Sequence, residues 1–176
     1  MRCLAVLTTV FVAACGQLSP QDYAANEPLL VPEEFFNGKL TAHGVIKNRG
    51  GKVVRYFNAD IDASWKNGVG TLDEHFLFDD GERQQRIWTL SPAADGSYSG
   101  TAGDVVGEGR LEYAGNSVFL DYVLRIPYRD GTVDVRVDDR MYLVQEDLLI
   151  NESVMTKFGI EVGSILLVIR RLDDTQ

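Results

Sequence analysis

The stretch "TLDEHFLFDDGERQQRIWTL", residues 71–90, holds two alternating runs separated by Asp80-Gly81. An Asp-Gly pair between such runs is a strong hairpin signal, because tight β-turns need the positive φ that glycine supplies without steric cost. With the turn centred on Asp80, Leu72 faces Trp88, Glu74 faces Arg86 and Phe76 faces Gln84. Residues two apart on a strand share a face, so all six side chains lie on one side of the hairpin. Leucine, phenylalanine and tryptophan mark that side as interior. A carboxylate and a guanidinium are therefore expected as inward cross-strand neighbours, roughly 5 Å apart. Two roles are open for them: a structural pair that fixes register, or a polar fixture that orients a ligand's head group, with Trp88 as a flat apolar contact.

The same grammar runs outward from this hairpin. Gly50-Gly51, Asn67-Gly68, Asp95-Gly96, Gly115-Asn116 and Asp130-Gly131 divide further alternating segments. In "RYFNADIDASW", Phe57, Ala59, Ile61, Ala63 and Trp65 fall on one face, and Asn58, Asp60, Asp62 and Ser64 on the other. That is the period of a half-buried strand. "SVFLDYVLRIPY" and "GTVDVRVDDRMYLV" alternate similarly, while "SILLVIRRL" is apolar on both faces at its centre, as a strand covered on both sides would be. No segment carries a sustained helical stripe. About ten antiparallel strands in sequence order point to an all-β fold, an antiparallel up-and-down barrel of lipocalin-like type, since closing the meander removes its exposed edges. A barrel of this size can hold one small ligand.

Two further polar sets are candidates. In "TAGDVVGEG", residues 101–109, no helix follows and the Lys-Ser/Thr of a phosphate loop is missing, so Gly103, Gly107 and Gly109 are read as allowing a bend at a barrel corner. Asp104 is expected to cap that bend, with an inward orientation as the alternative. In "VDDRMYLVQEDLLINESVMTKFG", residues 137–159, Asp139, Arg140, Asn151 and Lys157 stand among apolar neighbours. The candidate ligand-binding set is Glu74, Arg86, Trp88, Asp104, Asn151 and Lys157. No metal or cofactor is expected: the spacing around Asp138 and Asp139 is not that of an EF-hand loop. The two histidines, His43 and His75, fall in different strands, and His75 alternates away from the Glu74 face toward the surface. No catalytic set is assigned, and a binding or structural role is preferred to an enzyme.

At the other extreme of the chain, Met1-Arg2 and the apolar run "CLAVLTTVFVAA" have the anatomy of a secretory leader, and the run is too short to cross a bilayer as a finished helix. Val12-Ala13-Ala14-Cys15 resembles the lipobox of bacterial lipoproteins, in which the cysteine thiol is acylated and becomes the first mature residue. The only other cysteine, Cys3, lies inside the leader, so no disulfide can form in the mature chain. The expected organisation is a signal peptide over residues 1–14, a lipidated N-terminus and tether over 15–34, and a β-barrel over 35–173. Gly16 after the cysteine, in place of an aspartate, favours the outer membrane, facing the periplasm. Tyr23, Leu29 and Leu30 are expected to pack on the domain edge. A formal charge of −9 over 176 residues, without a Lys/Arg cluster, argues against a nucleic-acid partner and against docking on anionic headgroups. The anticipated membrane contact is therefore the lipid anchor. No protein partner is identifiable.

Taken in order, "FFNGKLTAHGVIKNRGGKVVRYF", "TLDEHFLFDDGERQQRIW", "YSGTAGDVVGEG", "GNSVFLDYVLRIP" and "DDRMYLVQEDLLINESVMTKFGIEVG" resemble the bacterial lipoproteins grouped as domain-of-unknown-function family 3833. The matching positions include Gly44, Glu74, Arg86, Trp88, Asp104, Asn151 and Lys157. Arg140 stands where such families often show a tryptophan. The resemblance implies an exported, anchored β-domain and brings no activity. Three functions follow as expectations: a barrel that binds a lipid or other apolar small molecule, a packed barrel that recruits a protein partner, and a lipid-modifying enzyme using Glu74 or Asp104 as a base.

Overall fold

The computed structural model describes residues 18–172. Ten strands follow one another: β1 (Gly38–Asn48), β2 (Val53–Lys66), β3 (Val69–Phe78), β4 (Arg83–Pro92), β5 (Tyr98–Thr101), β6 (Gly109–Ala114), β7 (Ser117–Tyr128), β8 (Gly131–Gln145), β9 (Leu148–Lys157) and β10 (Ile160–Arg171). Each pairs antiparallel with its chain neighbours, and β10 returns to β1, closing the sheet into an up-and-down barrel. Closure satisfies the edge groups that an open meander would leave unpaired. Residues 18–172 include this whole paired sheet, and the described core is drawn from positions 30 to 169. A chain that lacks residues 1–14 thus retains both.

Local alternation sets which side chains turn inward. In β2, Phe57, Ala59, Ile61 and Ala63 are buried, and the intervening polar residues are exposed. In the β3–β4 hairpin, Leu72 faces Trp88, Glu74 faces Arg86 and Phe76 faces Gln84, the register that the Asp80-Gly81 turn dictates. Gly44 shows why one inward position of β1 lacks a side chain. A Cβ there would lie 2.4 Å from the ring of Phe57, which lies across that site.

One end of the barrel is plugged. A 3-10 turn over Pro20–Tyr23 lies against β6 and β7, and the chain then passes to a single helical turn, α1 (Pro32–Phe35), beneath the barrel. Pro32 opens α1 with its fixed φ, and Glu33 and Glu34 suit the positive end of the turn. Leu30, Phe35 and Phe36 are 1%, 2% and 4% exposed. Trp65 Nε1 donates to the Phe36 carbonyl at 2.7 Å, the Leu30 amide donates to the Gly115 carbonyl at 2.8 Å, and Tyr98 donates to Glu33 at 2.9 Å. From Leu18 onward the expected tether is thus laid against the barrel. Tyr23 packs on Phe119 and Tyr142, and Leu30 is in the core, whereas Leu29 is exposed. Pro20, Pro28 and Pro32 and the absence of periodicity describe a segment held by its side chains and carbonyls as well as a free one.

β10 differs from expectation on its outer face. Val162 and Leu166 are exposed, because no described element covers that side of the barrel. The expected leader and Cys15 lie outside the described residues. No helix among the described residues is long and apolar enough to cross a membrane.

Candidate functional site

The floor made by Phe36 and its neighbours closes one end of a cavity of about 1080 Å³ inside the barrel. Its wall is mainly apolar, with Phe57, Ile61, Leu72, Leu124, Ile165 and Leu167 among the lining residues. The opposite end opens among the turns that follow β1, β3, β7 and β9 and the β5–β6 loop. There the inward Ile126 and Met155 are only half-buried. Arg55 stands at this mouth with its guanidinium 3.6 Å from the centre of the Phe78 ring and paired with Asp80 and Glu82. Arg125, also at the mouth, is held in a fork by Asp134.

A polar cluster crosses the apolar wall. Glu74 on β3 and Arg86 on β4 face each other, yet their nearest charged atoms are 3.9 Å apart, too far for a hydrogen bond. Arg86 gives its bonds to Asp104 in the β5–β6 loop, Nε at 2.9 Å and Nη2 at 2.7 Å from Oδ2. Asp104 therefore points inward to the guanidinium, and the expectation that it caps the loop is corrected. The loop turns its backbone to β7 instead: the Val106 amide donates to Val123 and the Arg125 amide to Asp104. Burial acts to lower the pKa of Arg86, but the bonds to Asp104 and the charge of Glu74 more than offset it and hold the pKa above its ordinary value.

Glu74 is left over. Its Oε2 is buried and accepts no hydrogen bond from the described residues. Burial raises its pKa to about 7; Arg86 opposes the rise, while Asp139, Asp104 and Asp73 add to it. Asp139 on β8 is a second interior carboxyl, 8% exposed and likewise pushed up by burial. The polar groups of Ser153, Asn151 and Tyr122 beside it pull the other way. Asn151 Nδ2 lies 3.5 Å from Asp139 Oδ1, and the Ser153 hydroxyl donates to Asn151 Oδ1 at 3.2 Å. Burial also pushes the Tyr122 phenol well up, and Asp139 adds to the effect. Trp88 meets Tyr122 edge-to-face at 5.2 Å.

The structure thus brings Glu74, Arg86, Trp88, Asp104 and Asn151 to one cavity. Lys157 does not join them: at the end of β9 its Nζ donates to the Asp134 carbonyl, outside the lining. Tyr122, Asp139 and Ser153 also line this wall and are not in the candidate ligand-binding set, although Asp139 belongs to the third polar stretch. The signal for Asp139 was its place in the inward series Val133, Val135, Val137, Asp139, Met141, and for Tyr122 the series Leu120, Tyr122, Leu124. Arg140 turns outward, 4.3 Å from the Phe119 ring centre and beside Asp121 and Asp138. His75 is on the outside, near Asp73. No group of potential metal ligands occurs among the described residues.

Comparison with known proteins adds a family and a fold. A family model described as "Protein of unknown function (DUF3833)" matches residues 9–171. No curated protein matches the chain in sequence. Among solved structures, the S-type phycobiliprotein lyase CPES from Guillardia theta is similar with a TM-score of 0.60 and 14% identity, covering 90% of this chain and 100% of that chain. A redesigned β-barrel, mFAP0, bound to DFHBI gives a TM-score of 0.42 at 8% identity, over 78% of this chain and 99% of its own. Odorant binding protein OBP1 gives 0.36 at 15% identity, over 85% and 79%. At 14% identity the likeness to the lyase is one of fold.

Proposed function

The chain belongs to the DUF3833 family, and on that premise we propose that its lipocalin-like barrel binds one lipid or other apolar small molecule while anchored in the cell envelope. The observation that carries this reading is the cavity itself. A hollow of about 1080 Å³ with an apolar wall, a closed floor, an open mouth and a few convergent polar groups has the makeup of a small-molecule site. A barrel needed only as a scaffold would gain stability by filling that space, since interiors close-pack by default. Glu74, Arg86, Trp88, Asp104 and Asn151 are the proposed contacts. Anchoring is proposed through acylated Cys15, at the outer membrane facing the periplasm, on the strength of the leader and the lipobox-like Val12-Ala13-Ala14-Cys15.

Native mass spectrometry of the chain without its leader, produced in an export compartment and kept free of detergent, tests the binding reading. The expected result is the protein mass plus one apolar molecule, exchangeable for a neutral fluorophore. A clean apo mass with no fluorophore uptake would replace it with the second reading, a partner-recruiting lipoprotein. That alternative is favoured by the exposed apolar outer face formed by Val162, Leu166 and Tyr56 and by Phe158, which is 92% exposed at the β9–β10 tip. For the anchor, Cys15→Ser is expected to leave unprocessed, unacylated precursor; normal processing and membrane retention would contradict it.

A further inference from the structure

We propose, resting on the ligand-binding reading above, that the barrel selects amphiphiles whose head group donates hydrogen bonds and carries a positive charge, and discriminates against anionic head groups such as fatty-acid carboxylates. The reasoning is a count of interior charge by position. Below the mouth, the wall holds three carboxyl groups, Glu74, Asp104 and Asp139, and one guanidinium, Arg86. Arg86 is engaged by Asp104 through both Nε and Nη2. The other two cations that line the cavity are engaged as well, Arg55 by Asp80 and Glu82 and Arg125 by Asp134. A carboxylate inside the cavity therefore finds no uncommitted cation on its lining and two further carboxyls. An arriving ammonium finds the carboxyl group of Glu74, which lines the cavity and whose Oε2 has no donor among the described residues.

The charged and titratable groups around Glu74 come from every side. Arg86 is on the neighbouring strand, Asp104 on the β5–β6 loop, Asp139 across the barrel on β8, Tyr122 beside it on β7, and Asp73 on its own strand. Only Arg86 among them favours the carboxylate. A ligand cation would supply the missing charge, at a site where Coulomb interactions are stronger than in water. The aliphatic part would then lie along Ile61, Leu124 and Ile165, with the Trp88–Tyr122 pair flanking the head group.

Competition against a neutral naphthylamine fluorophore bound by the leaderless chain tests this, with dodecylamine, dodecanol and dodecanoate as competitors at about pH 8, where amine and acid are both fully charged. The wild type should be emptied by dodecylamine at a concentration about tenfold or more below that needed for dodecanoate, with dodecanol between them. Glu74→Gln should shrink the amine–carboxylate gap to about threefold or less, each competitor being read against the variant's own fluorophore affinity. Asp139→Asn should narrow it in the same direction and serves as a second variant. A single neutralisation hardly alters a surface of formal charge −9, so a gap due to surface attraction would survive both variants. That survival, or dodecanoate competing as well as dodecylamine, overturns the proposed selectivity while leaving apolar binding intact. Failure of the wild type to take up the fluorophore at all overturns the binding reading itself.

Discussion

The two ends of this barrel are built from the same alternating strands and differ in what fills them. At the floor, Leu40, Leu111 and Leu149 are 1%, 2% and 0% exposed, because Leu30, Phe35 and Phe36 enter from the N-terminal segment and complete the packing. At the mouth, Ile126 and Met155 point inward from the barrel wall and remain half-buried, at the margin of that packing. An inward apolar side chain is therefore not the same as a packed one. The floor is where stability resides, and the mouth is where apolar surface is available to another molecule.

The contrast can be broken by matched truncations. Leu149→Ala at the floor should lower unfolding free energy by about 2–5 kcal/mol, the range for deleting a fully buried leucine. Met155→Ala at the mouth should lower it by less than about 1 kcal/mol, because its surroundings are already open. Equal losses in denaturant melts would show that both ends are packed alike.

Between floor and mouth, Glu74 should act against stability. Its proton is held to about pH 7 in the fold against an ordinary value of 4.5. Over that window the folded chain binds more proton than the unfolded one, so this group's contribution to unfolding free energy falls as pH rises and levels off above it. Glu74→Gln should therefore raise stability at pH 8 by about 2 kcal/mol and flatten the slope between roughly pH 5 and 7. An unchanged slope would mean that the carboxylate is solvated.

A smaller effect is expected where the N-terminal segment is seated. Gly115 has φ 54° and its Cβ would fall on the Tyr23 carbonyl. Gly115→Ala should cost about 1–2 kcal/mol and release the Leu30 amide, which donates to the Gly115 carbonyl, to faster hydrogen exchange. Unaltered exchange at Leu30 would separate the seat from the turn. Smallest of all, Lys157→Ala at the rim should change both stability and ligand affinity by less than about 0.5 kcal/mol, since surface substitutions away from packed features rarely do more. A larger loss of affinity would return Lys157 to the binding set.

Much of the wall was readable because a period of two and an Asp-Gly turn fix facing partners by local rules alone, so Glu74, Arg86 and Trp88 could be assigned to one face from the chain. The same rules mislead where contacts are distant in sequence. Asp104 bonds a guanidinium 18 residues away on another strand, and nothing in "TAGDVVGEG" signals that direction. Pro20 and Leu30 look like tether because their partners lie beyond Phe36, in β6, β7 and the floor. Lys157 shares the inward parity of Asn151 and Ser153 but sits one residue from the turn, where a long side chain can reach out to the Asp134 carbonyl.

The hollow between floor and mouth is tested most directly by isotope-filtered NOE measurements on the leaderless chain with one bound apolar ligand. Contacts from the ligand's alkyl protons to the methyls of Leu124, Ile165 and Leu167 and to the Trp88 ring are expected, with none to the outward Val162 and Leu166. Contacts confined to Val162, Leu166 and the Phe158 tip would contradict it, by placing the ligand on the outside of a barrel that holds nothing.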